Sequence, residues 1–210
     1  MYLKIIEQGR LRRILAAVLC LFSLLVQGEA FNWPHWGRCK NLPVEQDFNV
    51  YDYMSYWYQQ AGYNTEDIQY NLRCVHALYQ FDSSNNVVSV DNMAIRNIDN
   101  KHQGINGTAV LADPSKDEGR LVVTFHPYWW FTVKGNYWVL GTDYQSYSVV
   151  YSCSNFFFFF HYDSIWYLSR EQNFPPRTEA LYFNATNSVL IANGLDPSIL
   201  KRTSQQNCNV

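Results

Sequence analysis

The sequence predicts an all-β antiparallel domain, a sandwich or a barrel, with one helix near its C-terminal end. Three observations carry this expectation. Eight short runs rich in aromatic and β-branched residues follow one another between Trp57 and Arg170. Polar turn segments separate them at close intervals. Beyond Arg170 the alternation stops, and Pro175-Pro176 precedes a stretch of helical character.

The eight runs are residues 57–63, 73–81, 87–96, 104–111, 120–126, 137–141, 147–153 and 164–170. Their separators are 82–86, 97–103, 113–119 and the turn that starts at Thr142. Asp, Asn, Ser and Gly dominate these separators, because short polar side chains bond nearby backbone N–H groups and glycine accepts positive φ. Thr142-Asp143-Tyr144-Gln145-Ser146 joins two strand-like runs and reads as a hairpin turn. Alternation sets the faces. Val75, Ala77, Tyr79 and Phe81 share one side of the second run, and Val88, Val90, Asn92 and Ala94 share one side of the third. These apolar sides point inward, which takes the polar Asn92 inward with them. Residues 177–192 read as a helix packed outside the sheet, with Leu181, Ala185, Ser188 and Ala192 along one side and Gly194 as its stop.

Residues 1–30 read as a removable secretory leader. Lys4, Arg10, Arg12 and Arg13 make a positive start, and residues 14–26 form an apolar run too short to span a bilayer comfortably. Gly28 and Ala30 give a small-x-small cleavage signal, which places the mature start at Phe31 and leaves 31–210 as one domain. The whole chain carries a net charge of −2. Without the four basic and two acidic residues of the leader, twelve basic residues face sixteen acidic ones, a net charge of −4. No basic run follows the leader, which argues against nucleic acid as a partner.

Cys20 belongs to the leader. Cys39, Cys74, Cys153 and Cys208 remain, an even number that points to two disulfides in a secreted chain. Spacing alone leaves three pairings open. Their long, unequal intervals do not suit a zinc site, and each bridge would add about 4–5 kcal/mol on the chain-entropy account. Asn106-Gly107-Thr108 and Asn184-Ala185-Thr186 are glycosylation acceptors consistent with the same compartment.

The order of several short segments resembles the lipocalin family, most closely its apolipoprotein D, Lazarillo and insect bilin-binding branch. The segments are Cys39 before Pro43, Asp47-Phe48-Asn49 with Tyr51, Ser55-Tyr56-Trp57-Tyr58, Arg73-Cys74 and Tyr79. Thr142-Asp143-Tyr144, Val150-Tyr151-Ser152-Cys153, Trp166 to Arg170, Asn173, Pro175-Pro176 and Asn207-Cys208 complete the set. The resemblance implies an eight-stranded antiparallel up-and-down barrel with the C-terminal helix outside. It implies the pairings Cys39–Cys153 and Cys74–Cys208, and a Trp57–Arg170 stack that closes one end, with Tyr147 and Asp143 as further fold residues. It implies a pocket using Tyr79, Asn92 and Trp166, to which strand position adds Trp138. Ser55 departs from the family pattern, which has glycine there. Serine fits only if the local angles admit a Cβ or if strain is accepted.

The inward set is aromatic and aliphatic, which suits a fatty acid, retinoid, sterol or bilin better than a sugar or nucleotide. The expected function is therefore a secreted carrier of a small hydrophobic ligand, without a metal or other cofactor. Strand parity puts the two segments around 126–136 and 154–162 at the open end. Trp129, Trp130, Phe131, Phe156, Phe157, Phe158, Phe159 and Phe160 then form an aromatic rim. Such a rim either folds inward against the Trp33 and Trp36 segment or faces membrane and lipoprotein surfaces. Two other readings compete. An isomerase of this fold would need a reactive pocket thiol, whereas all four mature cysteines read as paired, no Gly-x-Ser-x-Gly elbow is present, and the histidines are scattered. A cell-surface interaction protein would have a plugged barrel.

Overall fold

A computed structural model describes residues 35–65, 71–156 and 158–208. The expected leader and the expected cleavage point before Phe31, and the aromatic residues Trp33 and Phe157, lie outside the described residues.

In chain order the elements are β1 (His35–Trp36), α1 (Val50–Tyr53), β2 (Ser55–Tyr63), β3 (Leu72–Asp82), β4 (Val87–Arg96), β5 (His102–Leu111) and β6 (Arg120–Tyr128). There follow β7 (Phe131–Thr142), β8 (Tyr147–Phe156), β9 (Phe160–Ser169), α2 (Pro176–Ala192) and β10 (Lys201–Arg202). From β2 to β9 each strand pairs antiparallel with the next, and β9 returns to β2 through Tyr58↔Ser169 and Gly62↔Trp166. The eight strands therefore close into an up-and-down barrel, which removes the sheet edges a sandwich would leave. Two short strands lie outside this count: β1 pairs with β9, and β10 pairs with β2.

The turns form where the sequence places them, and for the stated reason. Asp82 accepts from the Ser84 N–H (2.9 Å), Asp113 from the Ser115 N–H (3.1 Å), and Asp143 from the N–H groups of Gln145, Ser146 and Tyr147 (3.1, 2.7 and 2.9 Å). Burial works against the charge of Asp143. The Ser146 hydroxyl and these backbone N–H groups outweigh it and hold the carboxyl below the usual carboxylate range. The strands run further than the sequence suggests at the opposite end. β6 and β7 meet at Tyr128↔Phe131, and β8 and β9 meet at Phe156↔Phe160. Phe131, Phe156 and Phe160 are thus strand residues and not parts of long connections. Aromatic and β-branched residues suit a paired ribbon, and pairing satisfies backbone groups that a loop would leave to water.

Apolar side chains divide into two layers. Phe48, Tyr53, Trp57, Val88, Val139 and Leu168 belong to the cluster inside the barrel. Leu42, Leu140, Val149, Ile165, Tyr167 and Leu190 belong to the cluster between the barrel wall and α2. The helix exists where expected but buries a different side. Tyr182, Thr186 and Leu190 face the barrel, whereas Leu181 is 66% exposed and Ser188 and Ala192 also lie in solvent. The buried side is built on aromatic stacking: Tyr182 meets Phe174 at 4.7 Å and Phe183 at 4.9 Å. Thr186 is accepted there because its hydroxyl donates to the Tyr182 carbonyl one turn back (3.1 Å). Gly141 lets β7 approach this helix, since a Cβ there would stand 3.1 Å from Val189.

Both implied disulfides are present. Cys39–Cys153 ties the N-terminal segment to β8, and Cys74–Cys208 ties the C-terminal tail to β3, with Cα separations of 5.8 and 5.6 Å. In the tail, Gln205 donates to the carbonyls of Gln59 (2.8 Å) and Val75 (2.9 Å), beside register shifts in β2 and β3.

One end of the barrel is closed as the resemblance implies. Arg170 lies 3.8 Å over the Trp57 ring and donates to the carbonyls of Tyr144 (3.0 Å), Tyr56 (2.9 Å) and Asp52 (2.9 Å). The indole N–H of Trp57 donates to the Tyr53 carbonyl (2.9 Å). Ser55, at the entrance to this arrangement, has φ +85°. That is a conformation glycine adopts freely and a residue with Cβ adopts at a cost of roughly 1–3 kcal/mol. Glycine also loses more chain entropy on folding, which offsets part of the gain. Ser55→Gly is therefore expected to stabilise the fold by about 1 kcal/mol, read as a higher midpoint in thermal or urea unfolding. An unchanged or lower midpoint would show that the strain at Ser55 is compensated locally.

Candidate ligand cavity

The barrel interior is not filled by its own side chains. Above Trp57, which is fully buried, lies a cavity of about 670 Å³. Its walls follow from alternation: Val75, Ala77 and Tyr79 on β3, and Val88, Val90 and Asn92 on β4, all face it. Ala77 and Ala109 contribute little bulk, which leaves room in the barrel. Phe125, Pro127, Val133, Ser154 and Tyr162 line it toward the open end.

Four hydroxyls form a chain at the closed end. Ser148 Oγ lies 2.7 Å from Tyr53 Oη, Tyr53 Oη 2.9 Å from Tyr137 Oη, and Tyr137 Oη 3.2 Å from Tyr79 Oη. Each member comes from a different element: β8, α1, β7 and β3. The rings pack on one another, Tyr53 stacked on Tyr79 at 6.1 Å and Tyr137 edge-on to Tyr79 at 6.1 Å. Burial raises all three tyrosine pKa values. Tyr79 is pushed up to about 12, Tyr53 further, and Tyr137 well above the ordinary phenol range with added repulsion from its two neighbours. These hydroxyls stay neutral donors at any physiological pH.

Other polar groups are sparse. Asn92 and Trp166 line the cavity, and their side chains make no hydrogen bond to the described residues. Among the described residues that border the cavity, Lys134 alone carries a permanent charge; it sits between the inward Val133 and Gly135 and opposite Thr124, so its exposed side chain points out of the barrel. All four described cysteines are in disulfides, and no described group of His, Cys, Asp and Glu is arranged to hold a metal ion.

The structure brings Tyr79, Asn92 and Trp166 together around the cavity. Trp138 does not join them. Along β7, Tyr137 and Val139 point inward, so Trp138 and Leu140 point outward into the layer beneath α2. There Trp138 carries the Arg120 guanidinium at 4.3 Å and contacts Tyr151. Tyr137 is the residue in its place. Tyr53 and Ser148 also escape sequence reading, because nothing local marks them as neighbours of Tyr79. Asn106 on β5 and Asn184 on α2 are both exposed. Around the mouth, Trp129 is 97% exposed and Phe158 84%, with Trp130, Phe131, Phe156 and Phe159 also exposed. Phe160 is partly covered by Trp36, which meets it edge-on at 5.2 Å and stacks on Phe159 at 5.9 Å.

With this geometry in view, comparison with known proteins is direct. The family model of the lipocalin-like domain matches residues 48–205. The chain belongs to the lipocalin family. It is 32% identical to bovine (Bos taurus) apolipoprotein D over 201 residues, covering 93% of this chain and 95% of that protein. It is 36% identical to the Lazarillo protein of Schistocerca americana over 118 residues, covering 55% of this chain and 51% of that protein. Among solved structures, insecticyanin from the tobacco hornworm Manduca sexta superposes with a TM-score of 0.68 at 22% identity, over 82% of this chain and 87% of that one. In lipocalin terms the Trp57–Arg170 pair closes the base and the cavity above it is the calyx.

Proposed function

We propose that this lipocalin is a secreted carrier for one small hydrophobic molecule, held in the calyx. The observation that carries the reading is the vacant, mainly apolar cavity of about 670 Å³. That volume suits a fatty acid, retinoid, sterol or bilin. A guest burying roughly 300 Å² of apolar surface gains about 7 kcal/mol before the costs of association. An empty volume of this size favours a working calyx over a plugged one. The pairing of every described cysteine disfavours a thiol isomerase. Secretion is supported by the two long-range disulfides and by the exposure of Asn106 and Asn184, which we assign as glycan acceptors.

The test is occupancy. Retinol and a fluorescent fatty acid are expected to bind the wild-type protein and quench its tryptophans. Ala109→Trp, which fills the cavity from its wall, is expected to weaken both at least ten-fold while leaving the far-ultraviolet dichroism intact. No binding by the wild type, or equal binding by the variant, contradicts the carrier reading.

The rim favours an added step, docking of the open end on lipid bilayers or lipoprotein surfaces. Two ribbon tips present Trp129, Trp130, Phe158 and Phe159 to solvent beside the mouth, and such side chains partition to the boundary between water and lipid. Phe160 is a poor choice for testing this, because it supports Trp36. Replacing Trp129, Trp130 and Phe158 together with Ser is expected to abolish co-flotation with phosphatidylcholine vesicles and to spare retinol binding. Undiminished flotation would show that the rim is not the contact.

A further inference from the structure

Resting on the carrier reading, we infer that the closed end of the calyx is a hydroxyl-lined subsite for a neutral oxygen acceptor, a ketone, aldehyde or alcohol oxygen at the buried end of the guest. Ser148, Tyr53, Tyr137 and Tyr79 are four hydroxyls joined by three hydrogen bonds. Each hydroxyl brings one proton and each link uses one, so a single proton remains unspent. Ser148 is fully buried and does not line the cavity, and among the described residues its hydroxyl is hydrogen-bonded to Tyr53 alone. An unspent proton there is costly. The three tyrosines do line the cavity. Tyr53 is 2% exposed, so the free donor falls to Tyr79 or Tyr137, facing the guest.

The subsite selects against an ionised head. Arg170 at this end sits on the far side of Trp57, with three of its five N–H donors on backbone carbonyls. A carboxylate placed among the tyrosines would be desolvated with one neutral donor to offset it. At the open mouth a carboxylate keeps its hydration. Ketones and alcohols therefore enter head first, and fatty acids lie with the carboxylate at the open end.

The experiment uses a long-chain methyl ketone labelled with carbon-13 at the carbonyl, and pyrene as a guest without polar atoms. In the wild type the bound carbonyl stretch is expected at lower wavenumber than in alkane solvent. Tyr79→Phe is expected to retain that shift, because three hydroxyls with two links still leave one donor, now on Tyr137. The double variant Tyr79→Phe/Tyr137→Phe keeps one donor, on Tyr53, which is 2% exposed and out of the guest's reach, so it is expected to lose the shift and to bind the ketone about ten-fold more weakly. Its affinities for pyrene and for a fatty acid are expected to fall by less than the ketone affinity does. If pyrene binds but the wild-type carbonyl is unshifted, or if the double variant keeps the shift, the subsite is refuted and the carrier reading survives. Equal loss of fatty-acid affinity in the double variant also refutes it, since the carboxylate would then sit on the floor. Failure of the wild type to bind either pyrene or ketone removes the carrier reading and the subsite together.

Discussion

The stack of Arg170 on Trp57 is the constraint on which the rest of this molecule depends. A closed barrel is a tube, and a tube offers a guest no floor. Here a guanidinium 3.8 Å from an indole face fixes its position by donating to carbonyls of α1, of β2 and of the β7–β8 turn. Planarity and permanent charge are what let one side chain stack and fork at once, so lysine would not replace it. Trp57 in turn donates to the Tyr53 carbonyl, and the Tyr53 hydroxyl links Ser148 to Tyr137 in the hydroxyl chain. Closing the base and placing the polar end of the calyx are thus one structural event.

Polarity then grades along the barrel. The base carries neutral hydroxyls, the middle is aliphatic with Asn92 and Trp166, and the open end is ringed by exposed aromatics. The two disulfides hold the chain on either side of the strands against the outside of the barrel wall and take no part in the cavity. This division explains why the interior tolerates a void. Burial between the wall and α2 supplies a second core, so stability does not require the first to be filled.

Much of this was legible in the chain. The strands show because aromatic and β-branched runs alternate between Asp- and Asn-rich turns, and those turns close by the side-chain to backbone bonds that such residues make. Tyr79 and Asn92 follow from the alternation of β3 and β4. What alternation cannot do is choose between two neighbours of equal hydrophobicity. Tyr137 and Trp138 are both aromatic, and only pairing of β7 with β6 and β8 decides that the tyrosine faces inward. The same limit applies to α2, where the Ala and Leu side looked apolar but the Tyr182 side had rings to pack against. The hydroxyl chain was illegible for a different reason. Its members come from four elements, and no local pattern ties Tyr53 and Ser148 to Tyr79. Barrel closure itself was left open by strand pattern and followed from the family resemblance.

A carrier needs a calyx with room for a guest, and native mass spectrometry of protein recovered from secreting eukaryotic cells tests that most directly. The expected spectrum shows ions carrying one non-covalent small molecule per chain, released on gentle activation and replaced when pyrene is supplied in excess. Bare protein alone, before and after incubation with pyrene, would contradict it.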